Sequence, residues 1–343
     1  MPGGATDGPA EICRRGAAVH LIASAEDARL VSASLTPYCE WHSVPASDQC
    51  WTVISAGTTE PGTGFREVES GTFGTRAFLG ESTRTVILAA DDREVRCLVV
   101  RRLVKALLRR ELDRSQEVVW THAAAVAVDG AAVVLIGNKR SGKTTMALSL
   151  LATPRAGYIG NSDVSMHLDV DGVWRAAGWP RALTIRRDTF DLLARLHPSF
   201  DPHALAAAHP NNDLPRDAGA IEEPDKLYVM PQDLPNLVGK PLVPDAQAVL
   251  LVFPEFSAGE DDAMTLTKLT AAETRAELLQ VVDSTPDRFH PYLDGAFAER
   301  KTRSSGVRLS EQVPGVKLRY GAASASAARE AVVALSRSAR RGA

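Results

Sequence analysis

Apolar residues in this chain fall into two kinds of run. Short unbroken stretches such as 131–136 (Ala-Ala-Val-Val-Leu-Ile) and 248–253 read as strands buried on both faces. A longer stretch, 93–112, carries Val95, Val99, Leu103 and Leu107 at helical spacing, with Asp91 or Asp92 placed to cap it. Its basic residues Arg93, Arg96, Arg101, Arg102, Lys105, Arg109 and Arg110 spread over the other faces and are expected to face water. The same reading puts strands at 19–23, 51–55, 75–79 and 84–88, and a helix at 26–36. The Gly-rich 56–71 reads as loop. Further along come strands at 118–122, 125–128, 132–136, 158–161, 165–170, 173–176, 227–230 and 249–253. Helices are expected at 143–151, 189–196, 271–280 and 323–338. Asp129-Gly130 and Asp171-Gly172 mark hairpin turns, with Asp169 and Asp171 shaping the second. Residues 1–16 lack an apolar run and are expected to be disordered; 197–225, rich in Pro, Asn and Asp, reads as a long loop that could serve as a lid.

A chain of 343 residues is long for one domain and comfortable for two. Strands alternating with helices around 118–165 argue an α/β core. The division expected is a small α/β N-terminal domain over 17–115, fit to recognise an acceptor, and a nucleotide-binding domain over 116–343. The 39 Lys and Arg against 42 Asp and Glu give a net charge of −3, so no nucleic-acid partner is expected. No apolar run approaches the ~20 residues of a membrane helix. No membrane partner is expected, and the cytoplasm is the expected compartment. Cys13, Cys39, Cys50 and Cys97 show no CxxC spacing and read as reduced thiols rather than a disulfide frame or zinc site.

One motif carries chemistry. Gly137-Asn138-Lys139-Arg140-Ser141-Gly142-Lys143-Thr144 matches G-x-x-x-x-G-K-[ST], between an apolar strand and a helix former that begins Lys143-Thr144-Thr145. Gly137 and Gly142 permit close backbone approach. Successive loop N–H groups make an anion nest, and the helix start adds its positive end. Residues 137–145 are thus the expected nucleotide site, with Lys143 on the β/γ-phosphates and the Thr144 hydroxyl on Mg²⁺. The metal-side carboxylate expected at the end of a neighbouring strand is Asp163. A base-reading Asn-Lys-x-Asp on a later strand, a Leu-Ser-Gly-Gly motif, HExxH and a Gly-x-Ser-x-Gly elbow are all absent from the sequence. These absences argue against a GTPase, an ABC ATPase, a zinc protease and an α/β-hydrolase.

Three segments together, Thr121-His122-Ala123-Ala124-Ala125-Val126, the phosphate loop, and Gly157-Tyr158-Ile159-Gly160-Asn161-Ser162-Asp163-Val164, resemble the HPr kinase/phosphorylase-like family. Gly178-Trp179-Pro180, Lys226-Leu227-Tyr228 and Val252-Phe253-Pro254 resemble its looser relatives, so the likeness spans roughly 118–255. It implies a P-loop kinase core with a mixed sheet, using ATP and Mg²⁺, with His122 near the phosphates and self-association by analogy. The Arg-Gly-Leu-Gly type segment of true HPr kinases is absent, so HPr is not assigned as substrate. Ser162 stands in the family's acidic pair, leaving Asp163 as the one carboxylate there.

The reaction expected is transfer of the γ-phosphoryl group to a hydroxyl of a small molecule, such as a hydroxy amino acid, or of a peptide, in a setting such as natural-product modification. Asp163, Lys143 and His122 are the expected catalytic residues, and Thr144 and Asp163 the metal ligands. Arg186, Arg187 and Lys226 are candidates to neutralise transferring charge, and Glu255 is a candidate second metal carboxylate. Two alternatives stay open: a catalytically weakened nucleotide-binding scaffold that recruits a partner enzyme, and a nucleotidyltransferase.

Overall fold

A computed structural model describes residues 10–43, 50–56, 61–69, 75–186, 189–197, 226–257, 263–281 and 302–342. The chain divides into two compact units. One comprises residues 1–117 with 285–301, the other 118–284 with 302–343. Among the described residues no helix is long and apolar enough to cross a membrane.

The first unit is a mixed sheet of seven strands carrying two helices. In chain order these are β1 (Ala10–Arg14), β2 (Ala17–Ile22), α1 (Ala25–Leu35), β3 (Glu40–Ser43), β4 (Trp51–Ala56), β5 (Arg66–Glu69), β6 (Arg76–Gly80), β7 (Thr85–Ala89) and α2 (Arg93–Ser115). The spatial order is β3-β1-β2-β4-β7-β6-β5, with β2, β4 and β7 parallel and the flanking pairs antiparallel. Ser24 caps α1 by accepting from the Asp27 N–H at 3.1 Å, and Asp92 caps α2 by accepting from the Val95 N–H at 2.9 Å. Alternation sends Ile12, Val19, Leu21 and Val53 into the core, where α2 packs on β1, β2, β4 and β7.

Three expectations change here. Residues 10–14, expected to be disordered, form β1; the remainder of that stretch up to residue 9 lies outside the described residues. The expected loop 56–71 contains β5, which pairs with β6. The basic residues of α2 are not a solvated set: Lys105 is buried at 7% exposure, and Arg101, Arg102, Arg109 and Arg110 are half-buried. Burial of Arg101 pulls its guanidinium down to about 10. The Arg110 guanidinium lies over the Trp51 ring, 5.0 Å from its centroid.

The second unit is organised around one long strand. Its elements are β8 (Val118–Thr121), β9 (Ala123–Val128), β10 (Ala131–Ile136), α3 (Lys143–Leu151), β11 (Ala156–Asn161), β12 (Val164–Leu168), β13 (Trp174–Gly178), β14 (Leu183–Arg186), α4 (Phe190–Leu196), β15 (Lys226–Val229), α5 (Leu234–Val238), β16 (Asp245–Ser257), β17 (Thr265–Leu269), α6 (Ala271–Val281), α7 (Thr302–Gln312), β18 (Gly315–Gly321) and α8 (Ala325–Gly342). β16 pairs with β13 at its start, with β10 in its middle and with β18 toward its end. The sheet runs β11-β9-β10-β16-β13-β12-β8, with β18 added beside β16 and β17 paired to β18.

Both faces of this sheet are covered. Ala124, Val126 and Val128 pack with residues of α3 and α8, while Ala123, Ala125 and Ala127 pack with residues of α6 and α7. That double burial is why β9 and β10 read as unbroken apolar runs. β14, β17 and β18, and the helices α5 and α7, were not signalled by the sequence pattern, whereas β15 overlaps the strand expected at 227–230; β17 is largely exposed and polar. The expected lid, apart from His197, lies outside the described residues.

In the first unit α1 is tied to α2 through one carboxylate. Asp27, 2% exposed, accepts from Arg96 Nε at 2.9 Å and Arg93 Nε at 3.2 Å, and Ser55 Oγ also donates to it at 3.1 Å. Removing one partner of such a pair leaves buried charge uncompensated. Asp27→Ala is expected to lower unfolding free energy by about 3 kcal/mol, read from the urea midpoint; a change below about 0.5 kcal/mol would show that the ion pair does not hold the helices.

Candidate functional site

Strand directions assemble the site. β9 runs antiparallel to both β10 and β11, so those two run the same way and end at the same edge of the sheet. Ile136 and Asn161 lie opposite Ala123 and Ala124 respectively. The loop after β10, the residues after β11 and the residue before β9 therefore meet at that edge. These are 137–142, Ser162-Asp163, and His122.

The loop closes on its own lysine. Lys143, 6% exposed, donates from Nζ to Gly137 O at 2.7 Å and Asn138 O at 2.8 Å. Burial pulls its ammonium down to about 8. Gly142, the residue before α3, adopts φ +88. A Cβ there would stand 2.7 Å from Phe256 Cβ and 2.8 Å from Tyr320 Oη, so only glycine fits. Tyr320 donates its hydroxyl to Gly142 O at 2.8 Å, fixing the loop from β18. Lys139 and Arg140 are exposed, and Arg140 takes the left-handed φ of +72. The Ser141 Oγ is buried and makes no hydrogen bond, and it lies where a Cβ on Gly137 would stand only 2.7 Å away.

Beside the loop, Thr144 donates its hydroxyl to Asn161 Oδ1 at 3.3 Å. Ser162 sits at φ +65, a left-handed turn that costs a serine roughly 1–2 kcal/mol. That turn aims Ser162 O at His122 Nδ1, 3.2 Å away. A carbonyl can only accept, so Nδ1 carries the proton and Nε2 is left as an acceptor. Burial, then the charge of Lys143, push the His122 imidazole down to about 4; Arg181 and Asp163 also act on it. His122 is thus a neutral acceptor at pH 7. Asp163 is 5% exposed, between β11 and β12.

Oxygen donors from Thr144, Asn161 and Asp163 suit a hard divalent cation such as Mg²⁺. The glycine-only approach at 142, the partnerless Ser141 Oγ and the N–H groups opening α3 fit a phosphate chain. By contrast, a cavity of about 710 Å³ lies at the other end of the β9–β10 hairpin. Of the arginines lining it, Arg337 donates to the Asp129 carboxylate and Arg340 to the Asp129 backbone carbonyl.

Some candidates fall elsewhere. Glu255 does not join the loop: it alternates on β16 with Phe256, which packs against the loop, and it pairs instead with Lys317 at 2.8 Å. Arg186 is half-buried on β14, Arg187 lies outside the described residues, and of Lys226 only its place at the start of β15 is described. Asp169 accepts from the N–H groups of Asp171 at 3.1 Å and Val173 at 2.8 Å, which shapes the β12–β13 turn. Sequence reasoning gave no role to Asn161, Arg181, Phe256 or Tyr320. The last two come from strands far along the chain and carried no local signal.

No family model matches the chain, and no curated protein matches it. Among solved structures it is similar to the Hpr(Ser) kinase/phosphatase from Coxiella burnetii, at 10% identity and a TM-score of 0.29, over 65% of this chain and 97% of that one. A likeness this slight carries no argument, and the site stands on its own geometry.

Two outcomes follow from that geometry. The folded state resists the proton that an ordinary imidazole takes up near 6.5, so the contribution of neutral His122 is complete above that pH and lost as pH falls toward about 4. Denaturation midpoints of the parent are expected to drop more steeply across this window than those of His122→Gln; equal slopes would remove His122 as the cause. Gly142→Ala must place a Cβ against Phe256 and Tyr320 at positive φ, and is expected to cost about 1–3 kcal/mol in urea unfolding.

Proposed function

We propose that this chain is an ATP-dependent phosphotransferase. It would bind ATP with Mg²⁺ on residues 137–145 and transfer the γ-phosphoryl group to a hydroxyl of a small molecule or a peptide. The observation that carries the reading is the buried Lys143 ammonium held beneath a glycine-closed loop at the start of α3, with Thr144 against Asn161 at the adjoining strand end.

Each residue then has a physical task. Lys143 and the loop amides place fixed positive charge where the phosphoryl oxygens gain negative charge. Thr144 Oγ1 and the Asp163 carboxylate, with Asn161 Oδ1, would hold the metal. Mg²⁺, when bound, neutralises phosphate oxygens and so eases departure of the leaving group. Asp163 would also orient the acceptor hydroxyl and receive its proton. His122, neutral and with Nε2 free to accept, would help position that hydroxyl without adding positive charge. Positioning and electrostatics supply most of the acceleration, because the chain forms no covalent intermediate.

One observation favours a second reading. Ser162 stands beside Asp163 where the resembled family carries a second acidic residue, which reduces the local carboxylates to one. A nucleotide-binding scaffold that recruits an enzyme would keep the loop and lose turnover.

The two readings separate in one set of measurements. ADP, AMP and acceptor mass are followed with Mg²⁺, ATP and a panel of hydroxy amino acids and Ser/Thr peptides. The kinase yields ADP and an acceptor heavier by one phosphoryl group; a nucleotidyltransferase yields pyrophosphate. Asp163→Asn is expected to retain ATP binding and lose ~10²–10⁴-fold in turnover. Binding without any turnover in the parent favours the scaffold. Lys143→Ala is expected to weaken ATP binding at least ~10-fold, and unchanged binding would overturn the site. Because Lys143 carries its charge below about 8, nucleotide affinity is expected to fall as pH rises through that value in the parent, and not in Lys143→Ala.

A further inference from the structure

The first unit gathers thiol, imidazole and carboxylate groups that are scattered in the sequence. On the sheet face opposite the buried Ile12 and Val19, β1 places Glu11 opposite His20 and Cys13 opposite Ala18 of β2. Pairing of Val19 with Trp51 sets Cys50, just before β4, beside Ala18. The ligand atoms of Glu11, His20 and Cys50 all lie within 4.8 Å of one another. Glu11 Oε2 is 3.2 Å from His20 Nε2, and Cys13 Sγ is 3.3 Å from Glu11 Oε1. Ligand atoms around a tetrahedral Zn²⁺ stand roughly 3.3–3.8 Å apart, from bond lengths of about 2.0–2.3 Å. The Glu11–His20 and Glu11–Cys13 separations are near that range, Cys50 needs about an ångström of contraction toward Glu11 and His20, and Cys13 must swing across Ala18 to complete the set. His20 is fully buried and forms the floor, while Glu11, Cys13 and Cys50 are half-buried and reachable from solution. All four cysteines are free thiols.

We infer that Glu11, His20, Cys50 and Cys13 form a four-coordinate site for Zn²⁺ on the sheet of the first unit. The donor set selects a borderline-soft cation; Mg²⁺ and Ca²⁺, which want oxygen throughout, do not suit it. On binding, Cys13 and Cys50 each release a proton to water. Two thiolates, one carboxylate and a neutral imidazole then surround the dication, leaving the site at net −1 with no change of oxidation state. Four protein ligands close the coordination sphere, so the ion is structural: it pins β1, β2 and the start of β4 together. This inference does not depend on the phosphotransfer reading, since none of its residues belongs to the loop of 137–145.

The test titrates the chelator-stripped full chain with Co²⁺, then Zn²⁺. The expected result is uptake of one Co²⁺ per chain, with the tetrahedral visible bands and the thiolate-to-cobalt band in the near ultraviolet, displaced by Zn²⁺. Cys50→Ser, Cys13→Ser and Glu11→Gln are each expected to weaken binding at least ~10-fold, the two serine variants also dimming the thiolate band. Cys39→Ser, Cys97→Ser and Lys143→Ala are expected to bind as the parent does. These ligand variants change partly exposed side chains, and circular dichroism confirms that each is folded. Absence of saturable uptake, parent-like affinity in Cys50→Ser, or loss of binding in Cys39→Ser or Cys97→Ser would overturn the assignment.

Discussion

A lysine ammonium held away from water sets the terms for the second unit. A charge of this kind is costly to bury unless it is hydrogen-bonded. Lys143 is bonded to the carbonyls of Gly137 and Asn138, which forces the loop to curl back over the start of α3. The curl requires a left-handed residue at 142, and the close approach of Phe256 and Tyr320 requires that it lack a Cβ. Those two side chains come from β16 and β18, so the back wall of the loop is built by strands more than a hundred residues later in the chain. One buried charge thus ties the strand–loop–helix segment to strands that neighbour β10 in the sheet but come from far along the chain.

The sheet answers a second constraint, which is where strands stop. With antiparallel β9 between β10 and β11, the ends of the latter two lie side by side, and His122 enters between them from the start of β9. The left-handed turn at Ser162 turns its carbonyl to the imidazole. The resulting cluster mixes a lysine of lowered basicity, a neutral histidine and a buried carboxylate.

The first unit is built on a different economy of faces. One face of its sheet is covered by α2, whose flanks bury even Lys105, and the buried Asp27 clamps α2 to α1. The other face keeps polar and thiol side chains in a row across β1, β2 and the start of β4. Strand alternation does both jobs at once: the residues that fill the core and the residues that meet over Ala18 come from the same short strands.

The phosphate-loop motif, its strand and helix, the Asp129-Gly130 turn, and the mixed α/β character were legible in the sequence. Each depends on residues close along the chain, where backbone geometry and burial leave a periodic trace. The same local logic narrowed the cap of α2 to Asp91 or Asp92, and the structure uses Asp92. It could not see β1, β5, β17 or β18, which are short or polar and owe their existence to a neighbouring strand. Nor could it see that Asn161 faces Thr144, that Glu255 turns away to Lys317, or that Glu11, His20 and Cys50 converge, with Cys13 against Glu11. Those facts follow from register and from which way a side chain points off a pleated strand. A shift of one residue in pairing would reverse each of them, and pairing is decided only when distant segments compete for the same core.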